Sequence, residues 1–144
     1  MRHTVYFPED QDKLFKKLIG KTINEIRGAH SGSDHISFLF DDGTMMKMYH
    51  SQSCCESVEV DDICGDIEDL IGVPLLKAEA VSNVPFSGKS KYDTSYTWTF
   101  YKFATINGYV DIKWYGSSNG YYSETVDIEY VEIDSDWEDN FKCY

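Results

Sequence analysis

The sequence predicts one α+β domain, mainly antiparallel β-sheet, with two short helices and a C-terminal three-stranded meander. Three observations carry this. Apolar residues recur at helical spacing after Pro8 and again after Asp62, β-rich runs are joined by Asp41-Asp42-Gly43 and Asn107-Gly108, and the 144-residue chain suffices for one ordinary core.

Pro8, Glu9 and Asp10 open a helix whose Leu14, Phe15, Leu18 and Ile19 share a face and which stops at Gly20. Thr22 to Arg27 reads as a short extended stretch, and Gly28 to Asp34 as a polar connection. His35 to Phe40 and Thr44 to His50 flank Asp41-Asp42-Gly43 as the strands of a hairpin. Ser57 to Val60 extends briefly before Asp61 and Asp62 cap a second helix bearing Ile63, Ile67, Leu70 and Ile71, ended by Gly72 and Pro74. Leu75 to Val81 fits either a strand or a helix, and Ser82 to Asp93 collects loop formers. The meander comprises Ser95 to Ile106, Tyr109 to Tyr115 and Tyr121 to Ile133, with Asn107-Gly108 and Gly116 to Gly120 as its turns. A bulge is expected near Phe100 to Phe103, where the alternation slips. The domain spans 1–144, with an acidic tail from about 134 to 144.

Twenty-five acidic and thirteen basic residues give a formal charge of −12, which opposes direct contact with nucleic acid or anionic membrane. Lys13, Lys16, Lys17 and Lys21 are spaced as the wet side of a helix and its exit. The N-terminus has no apolar export segment and no run approaches bilayer length, so the expected location is the cytoplasm, that of the host cell if the chain is phage-encoded. Cys54, Cys55, Cys64 and Cys143 are then expected to be mostly reduced.

Three constellations bear on function. His50, Cys54, Cys55 and Glu56 bring imidazole, thiol and carboxylate together, yet adjacent cysteines are a poor pair for one metal ion, and no catalytic signature surrounds them. They line a ligand, or hold a loop. Trp114, Tyr115, Ser118, Asn119, Tyr121, Tyr122 and Glu124 place small polar residues among aromatics, a composition that stacks and hydrogen-bonds a planar polar ligand or simply builds a turn. Asp127, Glu129, Glu132, Asp134 and Asp136 lie in a stretch without Lys or Arg, as a solvated acidic face or as a mimic of nucleic-acid phosphates. No phosphate-binding glycine loop, nucleophile elbow or zinc-protease motif occurs, and no cofactor is implied.

His50 to Glu56, Asp61 to Gly72, Ser95 to Tyr101 and Trp114 to Glu124 together resemble a family of small phage, prophage and bacterial proteins carrying a domain of unknown function, over most of Lys17 to Ile128. The resemblance implies a phage-type genomic setting, in which small acidic proteins act as accessory or counter-defence factors. The resulting expectation is a non-enzymatic binding protein that engages a host protein with a basic surface or sequesters a small polar ligand. Its alternatives are an acidic nucleic-acid mimic and a Cys/His-dependent enzyme. Exposed tyrosines and strand edges leave room for a homodimer.

Overall fold

The structure, a computed structural model, describes residues 3–6, 11–82, 95–119 and 123–133. Its elements in chain order are β1 (His3–Tyr6), α1 (Gln11–Leu18), β2 (Ile23–Arg27), β3 (His35–Phe40), β4 (Met45–Tyr49) and β5 (Ser57–Cys64), then a 3-10 helix (Ile67–Leu70), β6 (Lys77–Ser82), β7 (Ser95–Thr105), β8 (Gly108–Ser118) and β9 (Asp127–Ile133). They form two antiparallel sheets, a five-stranded one in the order β1-β9-β4-β3-β2 and a four-stranded one in the order β5-β8-β7-β6.

Alternation along the strands builds the interior. Ile36, Phe38, Met46, Met48, Ile128 and Tyr130 from the first sheet join Val58, Val60, Tyr101, Phe103, Ile112 and Trp114 from the second in one buried cluster. Leu14, Phe15 and Leu18 of α1 complete it, with the Phe15 ring edge-on to Tyr101 at 5.7 Å and Phe103 at 6.1 Å between centroids. The expected helix is present as Gln11–Leu18 with Leu14, Phe15 and Leu18 buried, but Ile19, expected on the same face, follows the helix and is 47% exposed, and Pro8 to Asp10 lie outside the described residues.

Turn chemistry sets two hairpins. Between β3 and β4, Gly43 takes φ +87°, and Asp42 accepts hydrogen bonds from the Thr44 amide (3.1 Å) and hydroxyl (2.6 Å) while pairing with Lys21. Ile106-Asn107 joins β7 to β8, one residue before the expected Asn107-Gly108 turn, and Gly108 opens β8; the register runs without interruption from Ser95↔Ser118 to Thr105↔Gly108. The bulge expected in β7 is thus absent. Tyr96, Trp98 and Phe100 take one side of the strand, and Thr99, Tyr101 and Phe103 the other.

The C-terminal meander is corrected as well. β9 lies in the other sheet, between β1 and β4. Both flanks of β8 are already occupied, by β7 and β5, so no place beside it remains for a third strand. The second expected helix shrinks to the 3-10 turn capped by Asp66, whose side chain accepts from the Glu68 amide at 3.0 Å. Asp61 and Asp62 instead belong to β5, because the eleven-residue β8 offers an edge that pairing through Cys64↔Asp111 satisfies. A register shift between Val60 and Asp62 accommodates that extension. The ambiguous segment after Leu75 is strand β6, and the loop expected at Ser82 to Asp93 lies, beyond Ser82, outside the described residues.

The two sheets are stitched at their margins. In the β2–β3 connection, the Gly32 amide donates to Val60 O and Ser33 O accepts from the Val60 amide, both at 2.8 Å. The chain also crosses between the sheets, from β4 to β5 and from β8 to β9.

Candidate functional site

These two crossings meet. His50 follows β4, Glu56 precedes β5, and the segment before β9 supplies Thr125. The His50 side chain is 3% exposed and that of Glu56 is fully buried. His50 Nδ1 lies 2.8 Å from Thr125 O, and Nε2 lies 2.8 Å from Glu56 Oε2. A carbonyl oxygen and a carboxylate both accept, so each ring nitrogen donates and the ring is an imidazolium. Burial opposes that charge, but the hydrogen bonds to Glu56 and Thr125 outweigh it and raise the His50 pKa.

Glu56 is held in its ionised form. Oε2 also accepts from the Ser53 amide (2.9 Å), and Oε1 accepts from the Cys54 amide (2.8 Å) and from Gln52 Nε2 (3.3 Å). The hydrogen bond from His50, together with these amides, overcomes desolvation and pulls the carboxyl down to about 2. Gln52 Nε2 further donates to Glu56 O at 2.6 Å, and the Ser51 amide donates to Asp127 Oδ2 at 2.9 Å. The loop from Ser51 to Cys55 is thereby wrapped around one buried carboxylate and tethered to a second, while its own side chains stay exposed.

A further carboxylate braces the neighbouring crossing. Glu124, 7% exposed, accepts from Thr97 Oγ1 at 2.9 Å and Ser118 Oγ at 2.5 Å. It sits against Gly116, where an added Cβ would stand 2.5 Å from Glu124 O and 3.2 Å from Val58 Cγ2. Gly116, expected in a turn, is instead inside β8, and its role is close approach by another backbone.

The sequence-selected residues divide accordingly. His50 and Glu56 come together as a buried pair, Glu124 is buried separately against Thr97 and Ser118, and Cys54 and Cys55 are exposed. The Cys54 and Cys55 sulfurs lie against each other. Cys64 is a free, exposed thiol at the far end of β5, and Cys143 lies outside the described residues. Among the described residues no group of three or more His, Cys, Asp or Glu side chains is arranged to hold a metal ion.

Trp114 is corrected from ligand stacker to core residue. It is 0% exposed, and its Nε1 is buried without a hydrogen-bond partner. Tyr115, next in the strand, faces the opposite side and packs on Trp98 at 4.6 Å and Tyr96 at 6.3 Å between centroids. The two aromatics therefore cannot line one site. Ser118 is engaged with Glu124, Asn119 is exposed, and Tyr121 and Tyr122 lie outside the described residues.

Of the acidic series, Asp127 and Glu129 share a side of β9 as their spacing requires, but Asp127 anchors the Ser51 amide and Glu129 lies 4.0 Å from Lys47. Glu132 is exposed, and Asp134 and Asp136 lie outside the described residues. Sequence reading passed over Thr97 and Thr125, whose roles arise from partners distant in the chain, and Gln52, whose amide closes locally on Glu56. Gly116 did carry a signal, an isolated glycine within a β-rich run.

No described helix is long and apolar enough to cross a membrane. No curated protein and no solved structure matches the chain. A family model described as a domain of unknown function, DUF7448, matches residues 16–128, which takes in both crossings and all three buried site residues. The chain belongs to the DUF7448 family.

Proposed function

We propose that the protein is a non-catalytic recognition protein of phage or mobile-element type. In this reading it presents the Ser51 to Cys55 loop and the adjoining Ser118–Asn119 strand end to a host protein or a small polar ligand, as an accessory or counter-defence factor. The observation that supports it most is the saturation of the His50–Glu56 pair. Both ring nitrogens and both carboxylate oxygens are committed to partners within the chain, and both side chains are buried. Such a pair fixes a surface loop in advance, which lowers the ordering cost of binding. A general base, in contrast, must reach the proton it removes.

Nucleic-acid mimicry is the weaker reading, since Asp127 already accepts from the Ser51 amide.

The test is native mass spectrometry of the chain purified from a bacterial host, with identification of what it retains, repeated on Ser53→Arg. Ser53 has an exposed side chain, and only its amide is used within the loop. The expected result is an identified protein or small molecule whose retention falls about tenfold in the variant at unchanged melting temperature, as for loss of a central contact. Equal retention by Ser53→Arg would remove the loop from the working surface.

A further inference from the structure

The outer face of the five-stranded sheet carries a cavity of about 550 Å³, lined by none of the residues discussed for the loop. Its walls follow from strand register. One row runs Arg27, Ser37, Lys47 and Glu129 across β2, β3, β4 and β9, each the register partner of the next. On one side of this row lie the partners Leu39 and Met45, exposed by 2% and 0%, which cluster with Val131 apart from the main core. On the other side lie His35 and Tyr49, also register partners.

Ser37 has the shortest side chain of the charged row and is flanked by a cation on each side. Adjacent strands are separated by ~4.8 Å, so the Arg27 guanidinium and the Lys47 ammonium rise on either side of the Ser37 hydroxyl. A single carboxylate or phosphate fits between them, with that hydroxyl as a third donor. Arg27 is paired with Glu25 at 3.1 Å and Lys47 with Glu129 at 4.0 Å, partly exposed contacts of the kind that contribute little and that an incoming anion can share. The cavity wall is apolar on both sides of the charged row, at the Tyr49 ring on one and at Leu39 and Met45 on the other. Glu129 closes the far end of the row and opposes a second negative group. The volume falls within the range of small-molecule sites, ~300–1,000 Å³.

We propose that this cavity binds an organic anion with one head group, its carboxylate or phosphate held over Ser37 between Arg27 and Lys47 and its apolar body lying against the Tyr49 ring. The site goes beyond the recognition loop and stands or falls independently of it.

The experiment titrates the full chain with 2-naphthoate and with 2-naphthyl phosphate, using 2-naphthol as the neutral control and a naphthylmethyl trimethylammonium salt as the cationic one. Affinity is read by calorimetry and location by backbone amide shifts. At least one anion binds about tenfold or more tightly than naphthol, the gain expected of charge-assisted hydrogen bonds. Shifts centre on Arg27, Ser37, Lys47 and Tyr49, and the tighter of the two anions identifies the head group. Lys47→Gln and, as a second variant placing a carboxylate where the anion would sit, Ser37→Asp both abolish the preference for anions while circular dichroism stays unchanged. The proposal is overturned if naphthol or the ammonium salt binds as tightly as the anions, if shifts centre on Ser51 to Cys55, if both folded variants retain the preference, or if neither anion saturates by ~1 mM.

Discussion

Gly116 shows how a single missing side chain positions the two chain crossings. It pairs with Val58 on one strand and Thr97 on the other, while the Glu124 backbone and Cβ press on it from above the sheet. In Gly116→Ala the new methyl would stand 2.5 Å from Glu124 O and 2.9 Å from Glu124 Cβ, so backbone must move. We expect a loss of about 1–3 kcal/mol by urea unfolding, the range for overpacking. The shift should extend to Thr97 and Ser118, whose hydroxyls hold the Glu124 carboxylate, and amide spectra confined to residue 116 and its chain neighbours would contradict it. Trp114 offers a complementary case. Its indole N–H is buried and unpartnered, so Trp114→Phe relieves an unmet donor as it removes volume. That variant should lose clearly less stability than Trp114→Ala, for which about 3–5 kcal/mol is expected from the cavity, and equal losses would contradict this.

At the scale of elements, α1 closes one end of the core with Leu14, Phe15 and Leu18 while Lys16 and Lys17 face water. Phe15→Ala should cost about 3–5 kcal/mol because it empties the space against both Tyr101 and Phe103. Lys16→Ala should remain within about 0.5 kcal/mol of the parent. The contrast, read by denaturant midpoints at constant slope, tests whether the helix contributes through this face or through its own propensity. This helix was legible in the sequence because its signals are local, as was the Asp42-Gly43 turn, while Asn107-Gly108 marked the second hairpin but its turn falls one residue earlier, on Ile106-Asn107. What was not legible depends on partners far along the chain. Ile63, Ile67, Leu70 and Ile71 recur with helical spacing, yet the open edge of β8 draws Asp61 to Cys64 into a strand. Nothing near β9 announces that its neighbours are β4 and β1. The scaffold of the site follows the same division: His50, Glu56 and Glu124 stood out by residue type, but the burial that turns them from reactive groups into fastenings comes from the meeting of two crossings.

For the whole molecule, charge and the buried pair act together on the dependence of stability on pH. Glu56 titrates at about 2 in the folded chain against an ordinary 4.5, so its contribution is present above pH 4.5 and is lost as pH falls toward 2. The His50 pKa is raised above 6.5, so its contribution is complete below pH 6.5 and is lost as pH rises through the folded value. Stability from the pair therefore peaks between about pH 4.5 and 6.5. Self-repulsion points the same way, because the sequence pI is near 4.5 and the formal charge reaches −12 at pH 7. Both causes thus predict a melting temperature that declines above pH 6.5, and salt separates them. At about 1 M the screening length is ~3 Å, which suppresses repulsion among exposed carboxylates but leaves a buried ion pair with donors at contact distance largely intact. High salt should flatten most of the decline in the parent chain and leave a residual fall above pH 6.5. In His50→Gln, which cannot titrate, that residual should vanish while the salt-sensitive part remains. A His50→Gln chain that keeps the residual fall in high salt would show that His50 does not carry the second proton, and the commitment of both ring nitrogens as donors would fail with it.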